Sequence, residues 1–262
     1  MDQKKYTIRE LRALCQNVGA QHNAQTIFGL ANRAVSIYLT KLFIKTSITP
    51  NQITVAGTVV YLLGITSFIF GEWETALLGS ILLVFAGILD ACDGEVARFR
   101  KLKGGYGASY VEPASHDIMY GLTFLPIAYG AFIQTGDPYV LLFGAAATIF
   151  KLLYRLGEVR YLYGVLKKQQ ASPANAEEAP KKFKEQSFVT KILYVAYRHT
   201  ATSTGLVPPL IVAGLFERLD LYVLVYGVYY GLLWGALFVK QMLRFRRVLR
   251  QDAAIPLKPD SA

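Results

Sequence analysis

The sequence predicts an all-α membrane protein of about six transmembrane helices, with an N-terminal amphipathic juxtamembrane helix and both termini cytoplasmic. Three observations predict it. Of the 262 residues, 53% are hydrophobic and only 18% charged, too apolar for a water-soluble domain that must cover its surface with polar groups. Several apolar runs reach the ~20 residues a helix needs to cross a bilayer core, where irregular backbone would leave its amides unpaired. Lys and Arg, which are retained on the cytoplasmic side during insertion, concentrate in alternate breaks between these runs.

Residues 1–48 form an N-terminal cytoplasmic segment. They begin Met1-Asp2-Gln3-Lys4-Lys5, with no short apolar core before a small-residue cleavage site, so the first apolar helix is expected to stay in the membrane. From Phe28 to Ile44, the residues Phe28, Leu30, Val35, Tyr38, Leu42 and Phe43 alternate with Arg33, Lys41 and Lys45. This is the pattern of an amphipathic helix lying on the inner leaflet, with a seventh span as the alternative. Residues 49–245 make the membrane domain, with spans expected at Ile53–Phe70, Thr75–Arg98, Ser109–Ile133, Tyr139–Val165, Thr190–Phe216 and Leu219–Leu243.

The breaks Gly71–Glu74, Gln134–Asp137 and Glu217–Arg218 hold one basic residue between them. The stretch Arg98–Lys103, the segment with Lys167, Lys168, Lys181, Lys182 and Lys184, and the end with Arg244, Arg246, Arg247 and Arg250 are all basic. Both termini are therefore placed in the cytoplasm, the tail being residues 246–262. Residues 166–188, rich in Ala, Pro, Glu, Lys and Gln, read as a mobile cytoplasmic loop. In the last span Gly227, Gly231 and Gly235 line one face with small groups, suited to packing within the molecule or to a dimer seam. The net charge of +10 marks cytoplasmic loops rather than a nucleic-acid surface, which would not coexist with such long apolar runs. Two cysteines, Cys15 and Cys92, build neither a disulfide framework nor a zinc spacing.

The chemistry is carried by Asp90 and Asp93. An ionised carboxylate is expensive inside a membrane helix, and two of them three residues apart share one helical face. They repel unless a cation lies between them, and an all-oxygen site of this kind suits Mg²⁺ or Mn²⁺. Gly94 leaves room for a close ligand, and one turn on lie Ala97 and Arg98, whose guanidinium pairs a phosphate as a two-pronged donor. The bland alternative is a solvated or salt-bridged acid pair facing a basic loop. Arg155 and Arg198, in the fourth and fifth spans, either hold an acceptor or lipid phosphate or snorkel to headgroups.

Asp90-x-x-Asp93-Gly94-x-x-Ala97-Arg98, followed after eight residues by Gly107, resembles the first half of the motif of the CDP-alcohol phosphotransferase family. Thr49-Pro50-Asn51-Gln52-Ile53-Thr54 is similar to the Pro-Asn-x-x-Thr segment that opens that family's first membrane helix. The second half departs. The family's last two aspartates would fall at Val111 and Ser115, whereas Glu112 and His116 stand one residue later, their mutual spacing of four kept.

The resemblance implies an enzyme that moves a phosphoalkyl or phosphatidyl group from a CDP-linked donor, CDP-diacylglycerol or a soluble CDP-alcohol, to an alcohol acceptor, releasing CMP. Asp90, Asp93 and Glu112 would hold one or two Mg²⁺ or Mn²⁺ ions. Asn51, Thr54, Gly94, Ala97, Arg98 and Gly107 would form the nucleotide pocket. His116 would be the general base or a further metal ligand, with Asp117 as its competitor. Pro113 is expected to mark the first turn of its helix or to kink it. The resemblance also implies a homodimer in the bilayer, active on the cytoplasmic side of the inner membrane. Two rival classes remain: an intramembrane prenyltransferase acting on a prenyl diphosphate, and a cation-coupled transporter with the acids on an ion path.

Overall fold

A computed structural model describes residues 6–16, 26–102, 110–171 and 188–253. These residues are helical, with no strand among them. The helices are α1 (Ile8–Cys15), α2 (Ile27–Phe43), α3 (Pro50–Thr66, continued by a 3-10 turn Ser67–Phe70), α4 (Trp73–Phe99), α5 (Glu112–Leu122), α6 (Phe124–Thr135), α7 (Tyr139–Ala171), α8 (Phe188–Thr200), α9 (Ser203–Leu215) and α10 (Leu219–Ala253). Gly107 and most of the 166–188 loop lie outside the described residues.

Five stretches are long and apolar enough to cross a membrane: Pro50–Phe70, Trp73–Phe99, Glu112–Thr135, Tyr139–Tyr161 and Leu219–Phe245. Their outer faces carry large apolar side chains at helical spacing, such as Val55, Val59 and Leu63 on α3 or Leu221, Val225, Val228 and Leu232 on α10. Lipid rather than water is the solvent that tolerates such faces.

The expected span Thr190–Phe216 is not one helix. It divides into α8 and the shorter apolar α9, with the break at Ala201–Thr202. Packing explains the break. A side chain on Gly205 would fall 2.6 Å from the carbonyl carbon of His199, so only glycine lets the start of α9 fold tightly against the end of α8. The Ala201 carbonyl freed by the break accepts hydrogen bonds from Lys151 Nζ at 2.6 Å and from the Tyr230 hydroxyl at 3.1 Å. The Lys151 ammonium also lies 4.0 Å from the ring centre of Tyr120. The buried Lys151 is thus the cap of a helix break.

The other ends follow local rules. Thr49 and Gln52 form a capping box with Pro50 in the first turn of α3. Gly71 and Gly136 end their helices in the left-handed conformation, at φ 68° and 70°. Pro113 falls in the first turn of α5, as one of the two sequence expectations has it. Two of the three glycines on the α10 face pack within the chain, Gly227 against the Phe143 carbonyl and Gly231 against the Phe150 ring, both on α7, whereas Gly235 meets nothing within 4 Å.

At the basic end of the bundle, α1 and α2 lie against α4 around Glu95. This carboxylate is fully buried and accepts from Gln16 Nε2 at 2.8 Å, Ser36 Oγ at 2.6 Å and Thr40 Oγ1 at 2.6 Å. Arg100 ties the same end to the α2–α3 turn through the carbonyls of Ile48 and Thr46. Leu11, Cys15 and Ile37 close a small apolar cluster beneath α1. Glu95→Ala would leave three donors without their acceptor, so it is expected to cost about 3 kcal/mol and to lower the thermal midpoint in detergent by about 10 °C. An unchanged midpoint would refute the clasp.

Candidate active site

The acid pair lies in the C-terminal half of α4, and α3 positions half of it. Gly57 meets α4 closely, its missing Cβ falling 3.3 Å from Leu89 Cβ, and one turn earlier Thr54 comes beside Asp93. The Thr54 hydroxyl donates to Asp93 Oδ2 at 2.6 Å, and both residues are 9% exposed. A carboxylate so buried is held in one orientation by this bond.

The opposite wall is α5. His116, one turn into that helix, sets its Nε2 3.9 Å from Asp90 Oδ1. Its ring stacks on Tyr120 with centroids 6.1 Å apart, and its Nδ1 is buried without a hydrogen-bond partner. Asp117 turns to the other side of the helix and accepts from Arg155 Nε at 2.9 Å. The one-residue difference therefore separates the two candidates: His116 faces the acid pair, and Asp117 is engaged with α7. Glu112 opens α5 on an exposed position and is, with Asp90, an acidic neighbour of Asp93.

The remaining predicted residues divide. Arg98 folds back over Gly94, whose absent Cβ would lie 3.1 Å from a guanidinium nitrogen, and its Nε donates to the Cys15 carbonyl at the end of α1. Ala97 is partly buried on the same helix, and Asn51 is exposed in the first turn of α3. Arg155 belongs to the ion pair with Asp117, and Arg198 is partly buried near the end of α8. Among the described residues no three His, Cys, Asp or Glu side chains cluster as a ready-made metal cage. The donor chemistry nevertheless fits Mg²⁺ or Mn²⁺. A small hard cation is ordinarily held by one or two carboxylates, completed by water and substrate phosphate rather than by a protein cage.

Sequence reasoning passed over α1, Glu95 and the buried face of α2. Their signals were Thr7-x-x-Glu10, which forms a capping box, and the four-residue recurrence of Asn32, Ser36 and Thr40. Burial beside Glu95 pushes the Cys15 thiol up to about 11. The thiolate is the reactive form and such a rise removes most of it, so Cys15 is expected to resist maleimide at pH 7.5 until the protein is denatured. Rapid labelling of Cys15 in the folded protein would show that α1 does not pack against α2 and α4.

Between Asp90 and His116 opens a small cavity of about 30 Å³, walled by Phe28, Tyr61, Leu83, Gly87, Met119 and Val207 and bordered by Ser203 and Thr204. A larger apolar groove of about 920 Å³ runs along α9 and α10 and shares Phe28 and Thr204 with it.

Comparison with curated proteins gives no match. The family model described as CDP-alcohol phosphatidyltransferase matches residues 47–177, half of the chain, and spans the acid pair, Thr54 and His116. This multi-pass membrane protein therefore belongs to the CDP-alcohol phosphatidyltransferase family, a transferase class of phospholipid synthesis that acts on CDP-linked alcohols.

Proposed function

We propose that the chain transfers a phosphoalkyl or phosphatidyl group from a CDP-linked donor to an alcohol, releasing CMP on the cytoplasmic side of the membrane. The observation that carries this reading is the acid pair, with Asp93 locked by Thr54 and Asp90 faced by His116 across 3.9 Å. Asp90 and Asp93 would hold the divalent ion together with the donor diphosphate, with Glu112 available from the first turn of α5. When bound, such an ion neutralises the diphosphate and the charge that develops on the leaving CMP.

The protein's own groups have separate tasks in this reading. His116 accepts the proton of the acceptor hydroxyl through a ring nitrogen. The hydroxyl oxygen then bonds to the phosphorus bearing the alkyl group, and the bridging P–O bond breaks with its electrons passing to CMP. Thr54 keeps one Asp93 oxygen fixed, while Gly94, Ala97, Arg98 and Asn51 form the nucleotide side, to which the family motif adds Gly107. Arg155 and Arg198 serve the acceptor or lipid phosphate. The groove beside α9 and α10 suits the alkyl chains of a lipid-linked substrate, since it is apolar and adjoins the cavity at Phe28 and Thr204. The subunits pair as a homodimer, for which Gly235 offers an open face on α10.

The experiment is CMP release by purified protein with Mg²⁺ or Mn²⁺ and a panel of CDP donors and alcohols. Release that needs donor, acceptor and metal together is the expected result. Diphosphate release from a prenyl donor without any CMP release, or cation flux in liposomes without either reaction, would replace this reading with one of its rivals.

A further inference from the structure

A histidine that acts as a base is usually oriented by the bond its other ring nitrogen makes, an N–H donated to a carbonyl or a carboxylate. His116 lacks that support. Its Nε2 faces Asp90 at 3.9 Å, and its Nδ1 is buried with no hydrogen-bond partner among the described residues. No polar contact at Nδ1 therefore fixes the plane of the ring. The contact that does lie against it is aromatic. Tyr120 stands four residues later on the same face of α5, its ring 6.1 Å from the imidazole between centroids and inclined to it by only 22°.

Tyr120 is itself fixed by two contacts. Its hydroxyl accepts from the backbone N–H of Ser203, the first residue of α9, at 3.3 Å. The Lys151 ammonium, on α7, lies 4.0 Å from the centre of its ring and donates to the Ala201 carbonyl at 2.6 Å. Both anchors come from the break between α8 and α9, since Ala201 and Ser203 flank Thr202, whose backbone is extended there. A charge is costly inside a membrane protein, and capping one carbonyl does not by itself require a cation. Clamping an aromatic face does use the charge. One run of contacts thus leads from the helix break through Lys151 and Tyr120 to the imidazole. His116 and Ser203 line the cavity beside Asp90, whereas Tyr120 is not part of its lining.

We propose that Tyr120 is a positioning residue for the general base: its ring, clamped by Lys151 and by the Ser203 N–H, keeps the His116 imidazole turned with Nε2 toward Asp90. The assignment rests on the reaction proposed above and on His116 as its base. Tyr120 acts through His116 rather than on a substrate.

The test is a double-mutant cycle on CMP release by full-length protein in nanodiscs, with Mn²⁺ and saturating donor and acceptor. Tyr120→Leu is expected to lower kcat by about tenfold to a hundredfold, the cost of a misplaced catalytic group, with both KM values within about twofold of wild type. Tyr120→Phe keeps the ring and should hold kcat within about fivefold. In a His116→Ala background, Tyr120→Leu should change the residual rate by less than about twofold, because the ring has nothing left to position. A residue needed only for packing lowers the rate in both backgrounds, and that additivity overturns the assignment, as does wild-type kcat in Tyr120→Leu. If Tyr120→Leu does not fold, Ser203→Pro takes its place, read against Ser203→Ala. Proline suits the first position of α9 after the extended Thr202, and it removes the N–H that Tyr120 accepts. Its kcat should then be about fivefold below that of Ser203→Ala, and equal rates overturn the assignment. Full activity in His116→Ala overturns the choice of base, wild-type protein that releases no CMP with any donor and acceptor overturns the reaction, and the assignment falls with either.

Discussion

Asp93→Ala is expected to lower CMP release by at least about a thousandfold, roughly 4 kcal/mol of lost transition-state stabilisation. Asp93 is the more buried of the two acids, 9% exposed and held by the 2.6 Å bond from Thr54, so no neighbour on the same face replaces its oxygens. The control is Asp93→Asn. An amide keeps an oxygen that accepts from Thr54 and nearly the same volume, so the thermal midpoint should stay within a few degrees while metal-dependent CMP binding disappears. Thr54→Val removes only the orienting donor, and a loss of about tenfold is expected from one hydrogen bond. Measuring the three variants together separates the carboxylate's charge from its packing. Activity in Asp93→Ala within tenfold of wild type would show that the acid pair is structural.

His116→Ala should reduce kcat by about a hundredfold to ten-thousandfold, the range for losing a positioned general base. Its effect on CMP affinity should stay within about twofold. Asp117→Ala acts differently. It leaves Arg155 without the partner that accepts from its Nε at 2.9 Å, and the expected loss is below about tenfold. The contrast follows from geometry, because adjacent residues on a helix face about 100° apart and only His116 looks toward Asp90. The reverse order, with Asp117→Ala the more damaging, would move the base to Asp117.

Much of this arrangement was legible in the sequence, and what escaped has a physical reason. The spans around α3, α4 and α10 were visible because crossing a bilayer imposes length and apolarity directly on the chain. The Asp90–Arg98 motif was visible because several residue types with separate tasks stand at fixed spacing. The break between α8 and α9 was hidden, since it depends on Lys151 and Tyr230, which come from α7 and α10 to take the Ala201 carbonyl. Glu95 was hidden for a similar reason. A glutamate inside a motif facing a basic loop looks solvated until α1 and α2 bring Gln16, Ser36 and Thr40 over it. In α2 the apolar positions Leu30, Val35, Tyr38 and Leu42 are exposed, whereas the buried side carries the polar residues Asn32, Ser36 and Thr40, two of which donate to Glu95, a role invisible until α4 is in place.

The role given to Arg98 is where sequence and structure pull hardest against each other. Its spacing from Asp93 suggests a phosphate ligand, whereas its Nε donates to the Cys15 carbonyl. Both fit if α1 fixes the guanidinium plane over Gly94 while the remaining nitrogens serve the nucleotide. Removing residues 1–16 would then weaken CMP binding while leaving Asp90 and Asp93 in place.

In the proposed reaction, carboxylates on α4 grip a divalent ion at the donor diphosphate. The most direct test of this grip is an anomalous-scattering map of the protein crystallised with Mn²⁺ and CMP. A manganese peak is expected within about 2.5 Å of oxygens from both Asp90 and Asp93, with the CMP phosphate completing the shell. A peak away from that pair, or CMP bound with no metal contact to either aspartate, would contradict it.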